Sequence, residues 1–205
     1  MKAVVILAPG FEEIEALTPV DYLRRAGVEV VMAGIAAPGG SFNKMIEGAH
    51  GIKVECDMSF EDYLAGGDAL CDAVVIPGGM PGAANIGAND KVMEFIMKMA
   101  EAEKYVCAIC ASPIVVLAKT GLLAGHTFTC YPGMDQKIAE YVPDSSKIND
   151  LMDDAYLAHT KACVTDGKII TGKGPGAAEE FAMAIVKELC GVDPMMRVRT
   201  SSCQR

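Results

Sequence analysis

The sequence predicts a single α/β domain built around an open, mostly parallel sheet. Short apolar runs rich in β-branched residues, typical of parallel strands covered on both faces, alternate along the chain with helical patterns. Four of these runs lead through turns rich in glycine and proline into a helix, and they end at Ala8, Ile76, Ile109 and Thr171. The 205 residues are too few for two average domains, so one domain is expected to span residues 1–205.

The composition is that of a globular protein with an aliphatic core, and it excludes several classes of function. Apolar residues make up 51% of the chain and charged residues 22%. The formal net charge of −9 argues against binding nucleic acid through its phosphates and against a polybasic membrane-binding face. Because no apolar run could span a bilayer and no signal peptide is evident, the chain is expected to be cytoplasmic, with its eight cysteines reduced.

The first 33 residues predict a βαβ unit. Lys2 to Ala8 form a buried strand, and Pro9-Gly10 then turn the chain. A helix with acidic residues in its first turns runs toward Ala26 and stops at Gly27. Val28 to Ala33 form the second strand.

A glycine-rich excursion and a third parallel strand are predicted next. Residues 34–67 are irregular, but Ile52 to Glu55 alternate like a half-exposed strand, which favours a small hairpin over another crossover. Ala73 to Ile76 form a short apolar strand that ends abruptly in the turn Pro77-Gly78-Gly79.

The centre of the chain predicts a helix, the central strand and a further strand. The helix runs from Asp90 to about Glu101, and Tyr105 to Ile109 form the strand. Ala111 to Ala118 show a compact helical pattern closed by Gly121. Thr127 to Cys130 predict another strand, whereas residues 134–158 mix helical and turn signals.

The last part predicts a hairpin, a helix and a tail. Asp166-Gly167 is a two-residue hairpin turn between the short strands Ala162 to Val164 and Lys168 to Thr171. An amphipathic helix from Ala177 to Leu189 follows. The last dozen residues have the pattern of a loosely held tail.

Cys110 is the predicted functional residue, because it lies where a buried strand turns into a helix. The unpaired N–H groups of a helix N-terminus favour an anion, so the pKa of this thiol is predicted to lie below its ordinary value. Since ligands bind beyond the carboxyl ends of parallel strands, four turns are expected to meet there. The expected neighbours are Glu15, Gly79, Cys110 and the loop at Gly174. The backbone N–H groups of Gly79 and Ala111 are the candidate oxyanion donors.

Each candidate has a simpler structural interpretation. Cys110 could be one of several buried thiols, and Cys107, in a Cys-x-x-Cys spacing with it, is interpreted mainly as core. Glu15 could be a first-turn acid favoured by the helix dipole, or a buried, protonated donor to the thiolate. For Glu12 and Glu13 the dipole interpretation is preferred, and Glu12 is expected to face water.

No histidine is predicted beside Cys110. His126 precedes a strand and is placed at the far end of the sheet, while His50 and His159 fall in loops. Tyr131 follows the carboxyl end of that strand, the end nearer Cys110. The glycine turns match neither the dinucleotide-binding nor the Walker pattern, and the cysteines lack zinc-site spacing, so no cofactor or metal is expected.

Five segments together resemble the ThiJ/PfpI superfamily, specifically its DJ-one branch, that of the parkinsonism-associated protein deglycase and its bacterial relatives. The segments are Val-Val-Ile-Leu-Ala-Pro-Gly-Phe-Glu-Glu-Ile-Glu-Ala at 4–16, Pro-Val-Asp-Tyr-Leu-Arg-Arg-Ala-Gly at 19–27, Val-Ile-Pro-Gly-Gly at 75–79, Ala-Ile-Cys-Ala-Ser-Pro at 108–113 and Gly-Pro-Gly at 174–176. The resemblance implies a flavodoxin-like three-layer α/β/α sandwich that forms a homodimer. It implies a reactive nucleophile at Cys110, a protonated partner at Glu15, and an anion pocket formed by the backbone at Gly78, Gly79 and Ala111.

The resemblance also implies secondary sites and a choice of functions. Arg25 matches a position near the dimer interface and the pocket, and Cys56 matches an interface cysteine. Family chemistry includes glyoxalase III or deglycase hydrolysis of glyoxal-derived adducts, oxidative-stress sensing through a cysteine sulfinate, and chaperone activity. Where several members carry a histidine before a proline, this chain has Tyr131, so slow turnover is expected. A weak hydrolase acting on a small carbonyl substrate and a redox sensor or chaperone therefore both remain open.

Overall fold

The structure is a computed structural model that describes residues 1–66, 70–142 and 144–204. The strands, in chain order, are β1 (Lys2–Leu7), β2 (Glu29–Gly34), β3 (Met45–Glu47), β4 (Lys53–Glu55), β5 (Met58–Ser59), β6 (Ala73–Ile76), β7 (Tyr105–Ile109), β8 (Thr127–Phe128), β9 (Tyr156–Leu157), β10 (Cys163–Asp166) and β11 (Ile169–Gly172). The helices are α1 (Glu13–Arg25), α2 (Phe60–Ala65), α3 (Gly82–Gly87), α4 (Asp90–Glu101), α5 (Ser112–Val115), α6 (Ile138–Tyr141), α7 (Ile148–Leu151), α8 (Ala178–Cys190) and α9 (Val192–Ser201). The predicted excursion, the 134–158 stretch and the tail each extend into residues outside the described ranges, at 67, 143 and 205 respectively.

Seven of the described strands form one sheet between two layers of helices. Their order is β10-β11-β7-β6-β1-β2-β5, and every pair is parallel except β10 with β11. Helices α1 and α8 pack together on one face, while α2, α3, α4 and α5 cover the other. The predicted three-layer α/β/α architecture with a mostly parallel sheet is confirmed.

The middle strands form the core because both of their faces are covered. The side chains of β6 are all fully buried, as are those of β1 after Lys2, which explains why these strands read as continuous aliphatic runs. The chain leaves β1 toward β2 on one side and later returns to β6 on the other. A crevice at the carboxyl ends is expected at such a reversal of strand order.

The first βαβ unit and the two hairpins follow the prediction. Helix α1 ends at Arg25, and Gly27 leaves it with a φ of 82°. Strands β3 and β4 pair antiparallel outside the main sheet. Strands β10 and β11 form the second hairpin, but its two-residue turn is Gly167-Lys168, one residue later than predicted, because Asp166 still pairs with Ile169. In the described ranges no helix is long and apolar enough to cross a membrane.

The predicted strand from Thr127 to Cys130 is shorter than expected and lies outside the main sheet. Only Thr127–Phe128 are extended, and they pair with β9. The reason is that β11 is already bonded to β10 on one edge and to β7 on the other. The neighbouring segment therefore attaches through a side chain, with the Thr129 N–H donating to Thr171 Oγ1 at 2.9 Å.

The predicted loose tail is wrong. Helix α9 occupies most of it and packs on α8. Val198 is only 2% exposed, and the helix begins after Gly191, whose φ of 90° redirects the chain. A single buried side chain in a largely polar segment was too weak a pattern to predict this docking.

Candidate active site

Cys110 forms a sharp elbow between β7 and α5. Its φ of 66° lies in the left-handed region, which a non-glycine residue occupies at a cost of about 1–3 kcal/mol. Backbone hydrogen bonds hold it there: the Cys110 N–H donates to Gly172 O at 2.9 Å, and Cys110 O accepts from the Tyr131 N–H at 2.7 Å. The thiol is thereby directed away from the strand on an element fixed from both sides.

The helix that follows the elbow is much shorter than predicted. Helix α5 has four residues and continues as a 3₁₀ turn over Leu117–Thr120, which ends at Gly121. One helical turn carries little macrodipole, so individual N–H groups are the relevant donors. The N–H groups of Gly79 and Ala111, the candidate oxyanion donors, hydrogen-bond the Cys110 sulfur.

Gly78 lets the turn after β6 approach Cys110 closely enough for the Gly79 N–H to reach the sulfur. A Cβ atom at Gly78 would lie 2.6 Å from Cys110 Cβ and 2.7 Å from Glu15 Oε2, so no larger residue fits. Gly79 has a φ of 84° and is packed equally tightly against the backbone of the turn after β1. Both glycines of the Pro77-Gly78-Gly79 turn are therefore required by geometry.

Glu15 is fully buried beside the thiol. Its Oε2 accepts a hydrogen bond from the Gly78 N–H at 2.8 Å, and the carboxyl interacts with the Cys110 side chain. Its other oxygen, Oε1, is buried and has no hydrogen-bond partner. Burial raises the pKa of Glu15 to about 7, because a charged carboxylate is poorly solvated there. This buried position supports the predicted protonated donor over the dipole interpretation.

The prediction of an acidic Cys110 thiol is wrong. Burial, followed by the negative charge of Glu15, raises the pKa of the thiol well above its ordinary value, although the N–H groups of Gly79 and Ala111 oppose this. Two adjacent buried groups of like charge titrate as a pair. The pair loses its first proton near the pKa of about 7 at Glu15 and holds the second to high pH.

The four predicted turns converge on one cavity of about 510 Å³. Glu13 from the start of α1, Gly79, Cys110 and Pro175 all line it. Tyr131, which is 48% exposed, forms part of the wall. A Cβ on Gly174 would lie 3.3 Å from the Tyr131 ring, so the Gly174 loop also reaches the site as predicted. The described residues between 134 and 158 do not line this cavity.

A histidine that sequence reasoning placed in an unrelated loop lines the same cavity. The His50 Nδ1 lies 2.9 Å from Glu13 Oε2 and 3.4 Å from Glu12 Oε2. The β3–β4 hairpin folds over the start of α1, where the Gly10 N–H donates to Glu47 O at 2.8 Å. No local sequence pattern could predict the contact between His50 and Glu13, which are far apart in sequence.

The expectation that Glu12 faces water is also wrong. Glu12 is 8% exposed and Glu13 3%, because the same hairpin covers them. Burial would raise the pKa of Glu13, but hydrogen bonds from the His50 ring and from backbone N–H groups outweigh it and lower that pKa. Burial raises the pKa of Glu12. The hydrogen bond to Glu13, followed by the charge of Glu12, raises the pKa of His50.

These three side chains form the one grouping of potential metal ligands within the described ranges. Their ligand atoms lie within 4.8 Å of one another. The Glu13 carboxylate is already bound by the His50 N–H at 2.8 Å and the His50 ring at 2.9 Å. The Glu13 carboxylate is thus already satisfied by hydrogen bonds from His50.

Three other candidate residues lie away from the cavity. Arg25 is exposed in the last turn of α1, with its Nε 2.6 Å from Asp21 Oδ2, and it does not line the cavity of this chain. Cys56 is buried within the excursion itself, where its thiol donates a hydrogen bond to Lys44 O at 3.1 Å. Cys107 is fully buried in β7, which confirms its interpretation as core.

Comparison with known proteins places these features in a family. A sequence model of the DJ-1/PfpI family matches residues 1–188. The chain is 34% identical over 198 residues to the Parkinson disease protein 7 homolog of Danio rerio, covering 97% of this chain and 94% of that protein. It is 30% identical over 195 residues to a glutathione-independent glyoxalase of Caenorhabditis elegans, covering 93% and 89% of the two chains.

The fold leads to the same family. The crystal structure of Drosophila melanogaster DJ-1beta superimposes with a TM-score of 0.82 at 33% identity, covering 98% of this chain and 97% of the other. The flavodoxin-like sandwich implied by the resemblance is confirmed. By its sequence, its fold and the extent of both matches, this chain belongs to the DJ-1/PfpI family.

Proposed function

We propose that the chain is a glutathione-independent glyoxalase of the glyoxalase III or deglycase type, which hydrolyses small 2-oxoaldehydes such as methylglyoxal or their adducts. The observation that carries this proposal is the pairing of Cys110 with the fully buried Glu15 beside two backbone N–H donors. A relative in Caenorhabditis elegans is named as a glyoxalase, which supports this class of activity. No cofactor is needed for the steps below.

The first step forms a bond between Cys110 and the aldehyde carbon. The sulfur attacks in the form that is ionised while Glu15 keeps its proton, and the carbonyl π electrons move to the aldehyde oxygen. The N–H groups of Gly79 and Ala111 lie beside the sulfur, within reach of that oxyanion. Glu15 then donates its proton to the oxygen, which gives a neutral hemithioacetal.

The second and third steps convert this adduct into a hydroxy acid. Glu15, now a carboxylate, removes the proton from the former aldehyde carbon and returns it to the adjacent carbon, while the hydroxyl proton passes from the first oxygen to the oxygen of that adjacent carbon, which leaves a 2-hydroxyacyl thioester on Cys110. Water then attacks the thioester carbon, and the carbon–sulfur bond breaks with its electrons returning to sulfur. Of the two water protons, one restores the protonated Glu15 and the other is released. The net reaction is methylglyoxal plus water to lactate plus a proton, with no external oxidant.

The pKa of about 7 at Glu15 suits this double role. A carboxyl that titrates near the working pH can both give and accept a proton, whereas a surface glutamate would stay charged. Burial supplies this property, and the Gly78 N–H fixes which carboxyl oxygen faces the backbone.

A lactate assay without glutathione tests the proposal. Wild-type protein should form lactate slowly, and Cys110→Ser should abolish it. Cys203→Ser is the matched control, since Cys203 is exposed and remote in sequence from the site. Lactate formation that persists in Cys110→Ser would refute the proposal.

A redox sensor is the second candidate, favoured by the same donors around the sulfur. Oxidation of Cys110 to a sulfinate would place negative oxygens beside the Gly79 and Ala111 N–H groups and the protonated Glu15. Titration with mild peroxide, followed by intact-mass measurement, should show the gain of two oxygens in wild type and not in Cys110→Ser. Unmodified Cys110 under these conditions would remove the sensor function.

We also propose that the protein works in the cytoplasm as a homodimer. A reactive thiol requires a reducing compartment to stay unpaired, and the eight cysteines are all free in the structure. Light scattering after gel filtration should give twice the monomer mass, and fractionation of cells should recover the protein with cytoplasmic markers.

A further inference from the structure

We propose that His50, oriented by Glu13, is the general base that activates water in the hydrolysis of the Cys110 thioester. This inference rests on the proposed glyoxalase function and assigns its last step to a residue outside the Cys110–Glu15 pair. It supplies the imidazole whose absence at Tyr131 made efficient turnover unexpected.

Location is the first argument. His50 and Cys110 line the same cavity of about 510 Å³, although they come from the β3–β4 hairpin and the β7–α5 elbow respectively. The cavity is open to solvent at His50, whose side chain is 68% exposed, while Cys110 is 9% exposed. The imidazole therefore lies on the solvent side of the cavity that contains the sulfur, where entering water can meet it.

The orientation of the ring is the second argument. The Nδ1 atom is 2.9 Å from Glu13 Oε2, and the main-chain N–H of the same histidine donates to Glu13 Oε1 at 2.8 Å. One carboxylate thus fixes both the ring and the backbone of His50. Within the described ranges Nε2 has no hydrogen-bond partner, so it is the nitrogen left to exchange protons.

A buried carboxylate behind an imidazole is an established way to prepare a general base. Glu13 is 3% exposed and stays charged because the His50 ring and backbone N–H groups stabilise its anion. It fixes the tautomer with the proton on Nδ1 and stabilises the imidazolium that forms when Nε2 accepts a proton. Glu12 adds a second negative charge at 3.4 Å.

The step balances without another reactant. Water oxygen attacks the thioester carbon as Nε2 takes one water proton, and a carbon–oxygen bond forms. The tetrahedral intermediate then collapses, the carbon–sulfur bond breaks, and its electron pair returns to Cys110. The imidazolium delivers its proton to the sulfur or to solvent, the carboxylic acid ionises, and both Cys110 and His50 are restored.

The pH dependence follows from the groups that face His50. These are Glu12 and Glu13 at the start of α1, together with Cys110 on the elbow and Tyr131, which line the same cavity. A base must be neutral, so the rate of thioester hydrolysis should rise with pH and level off above the pKa of His50. Removing the Glu13 charge should lower that pKa and move the rise to lower pH.

The experiment compares wild type, His50→Gln and Glu13→Gln, with His159→Gln as the matched control. Lactate formation from methylglyoxal should fall about 10²–10⁴-fold in His50→Gln, the range for loss of a general base, and remain unchanged in His159→Gln. Intact-mass measurement should show His50→Gln accumulating a species heavier by one methylglyoxal on Cys110, since the earlier steps do not use the imidazole. With only three histidines in the chain, the His50 imidazole signal can be assigned by NMR, and its pKa should fall in Glu13→Gln.

The outcomes separate this proposal from the glyoxalase function itself. Wild-type turnover in His50→Gln, with loss of turnover in Cys110→Ser, would overturn the role of His50 alone. Lactate formation absent from wild type, or surviving in Cys110→Ser, would overturn both. Loss of activity in EDTA that zinc restores would also overturn the proposal, because His50 would then act as a metal ligand.

Discussion

Replacing Glu15 with glutamine should change how the stability of the protein depends on pH. Folding raises the pKa of this carboxyl from 4.5 to about 7, so the native state binds its proton more tightly than the unfolded chain does. Native stability contributed by the protonated form is therefore fully present below pH 4.5 and is lost as pH rises toward 7. At 1.36 kcal/mol per pKa unit, the loss is about 3 kcal/mol.

Urea unfolding at intervals between about pH 3 and pH 8.5 measures this effect. The free energy of unfolding of Glu15→Gln minus that of wild type should increase by about 3 kcal/mol between pH 4.5 and about pH 7 and stay constant at higher pH, because glutamine does not ionise. Glu13→Gln is the opposite control: its carboxyl has a lowered pKa, so wild type should lose stability relative to that variant as pH falls below 4.5. A difference for Glu15→Gln that does not vary with pH would refute the assignment of a buried, proton-holding carboxyl.

Three further predictions concern the cavity. In a Cys203→Ser background, the rate of Cys110 alkylation by iodoacetamide should rise around pH 7, as the Cys110–Glu15 pair loses its first proton, and Glu15→Leu should remove that rise. The same pH profile with and without Glu15 would show that the two groups do not titrate together. Gly78→Ala should lower the free energy of unfolding by about 1–3 kcal/mol and block Cys110 alkylation, since the added Cβ would lie 2.6 Å from Cys110 Cβ. A Gly78→Ala variant with the urea midpoint and the labelling rate of wild type would contradict this. Tyr131→His should raise lactate formation by adding an imidazole to the cavity wall, whereas Tyr131→Phe should not, and equal rates in the two variants would exclude the effect.

The sheet and the Cys110 elbow could be predicted because their signals are local. An aliphatic run such as Ala73–Ile76 is compatible with few structures other than a buried strand. The glycines after it are required because the turn has no room for a Cβ atom. Glu15 could be singled out because it lies one turn beyond Glu12 on the first helix. Its burial then followed from the packing of α1 on the sheet.

The rest depended on contacts between distant segments. His50 reaches the cavity because a hairpin with little pattern of its own folds over Glu12 and Glu13. The acidity of Cys110 was misjudged for the same reason: a local rule for helix N-termini ignored the burial and the charge that Glu15 brings from another element. Helix α9 was missed because one buried valine is a weak signal in a polar segment.

The central claim is that Cys110 carries the substrate as a covalent intermediate. A rapid-quench experiment on wild type mixed with methylglyoxal, followed by intact-mass measurement and peptide mapping, tests it directly. A species heavier by one methylglyoxal should map to the peptide containing Cys110, and it should form and decay at least as fast as lactate appears. Lactate formation with no such species, or with the added mass on another cysteine, would contradict the account.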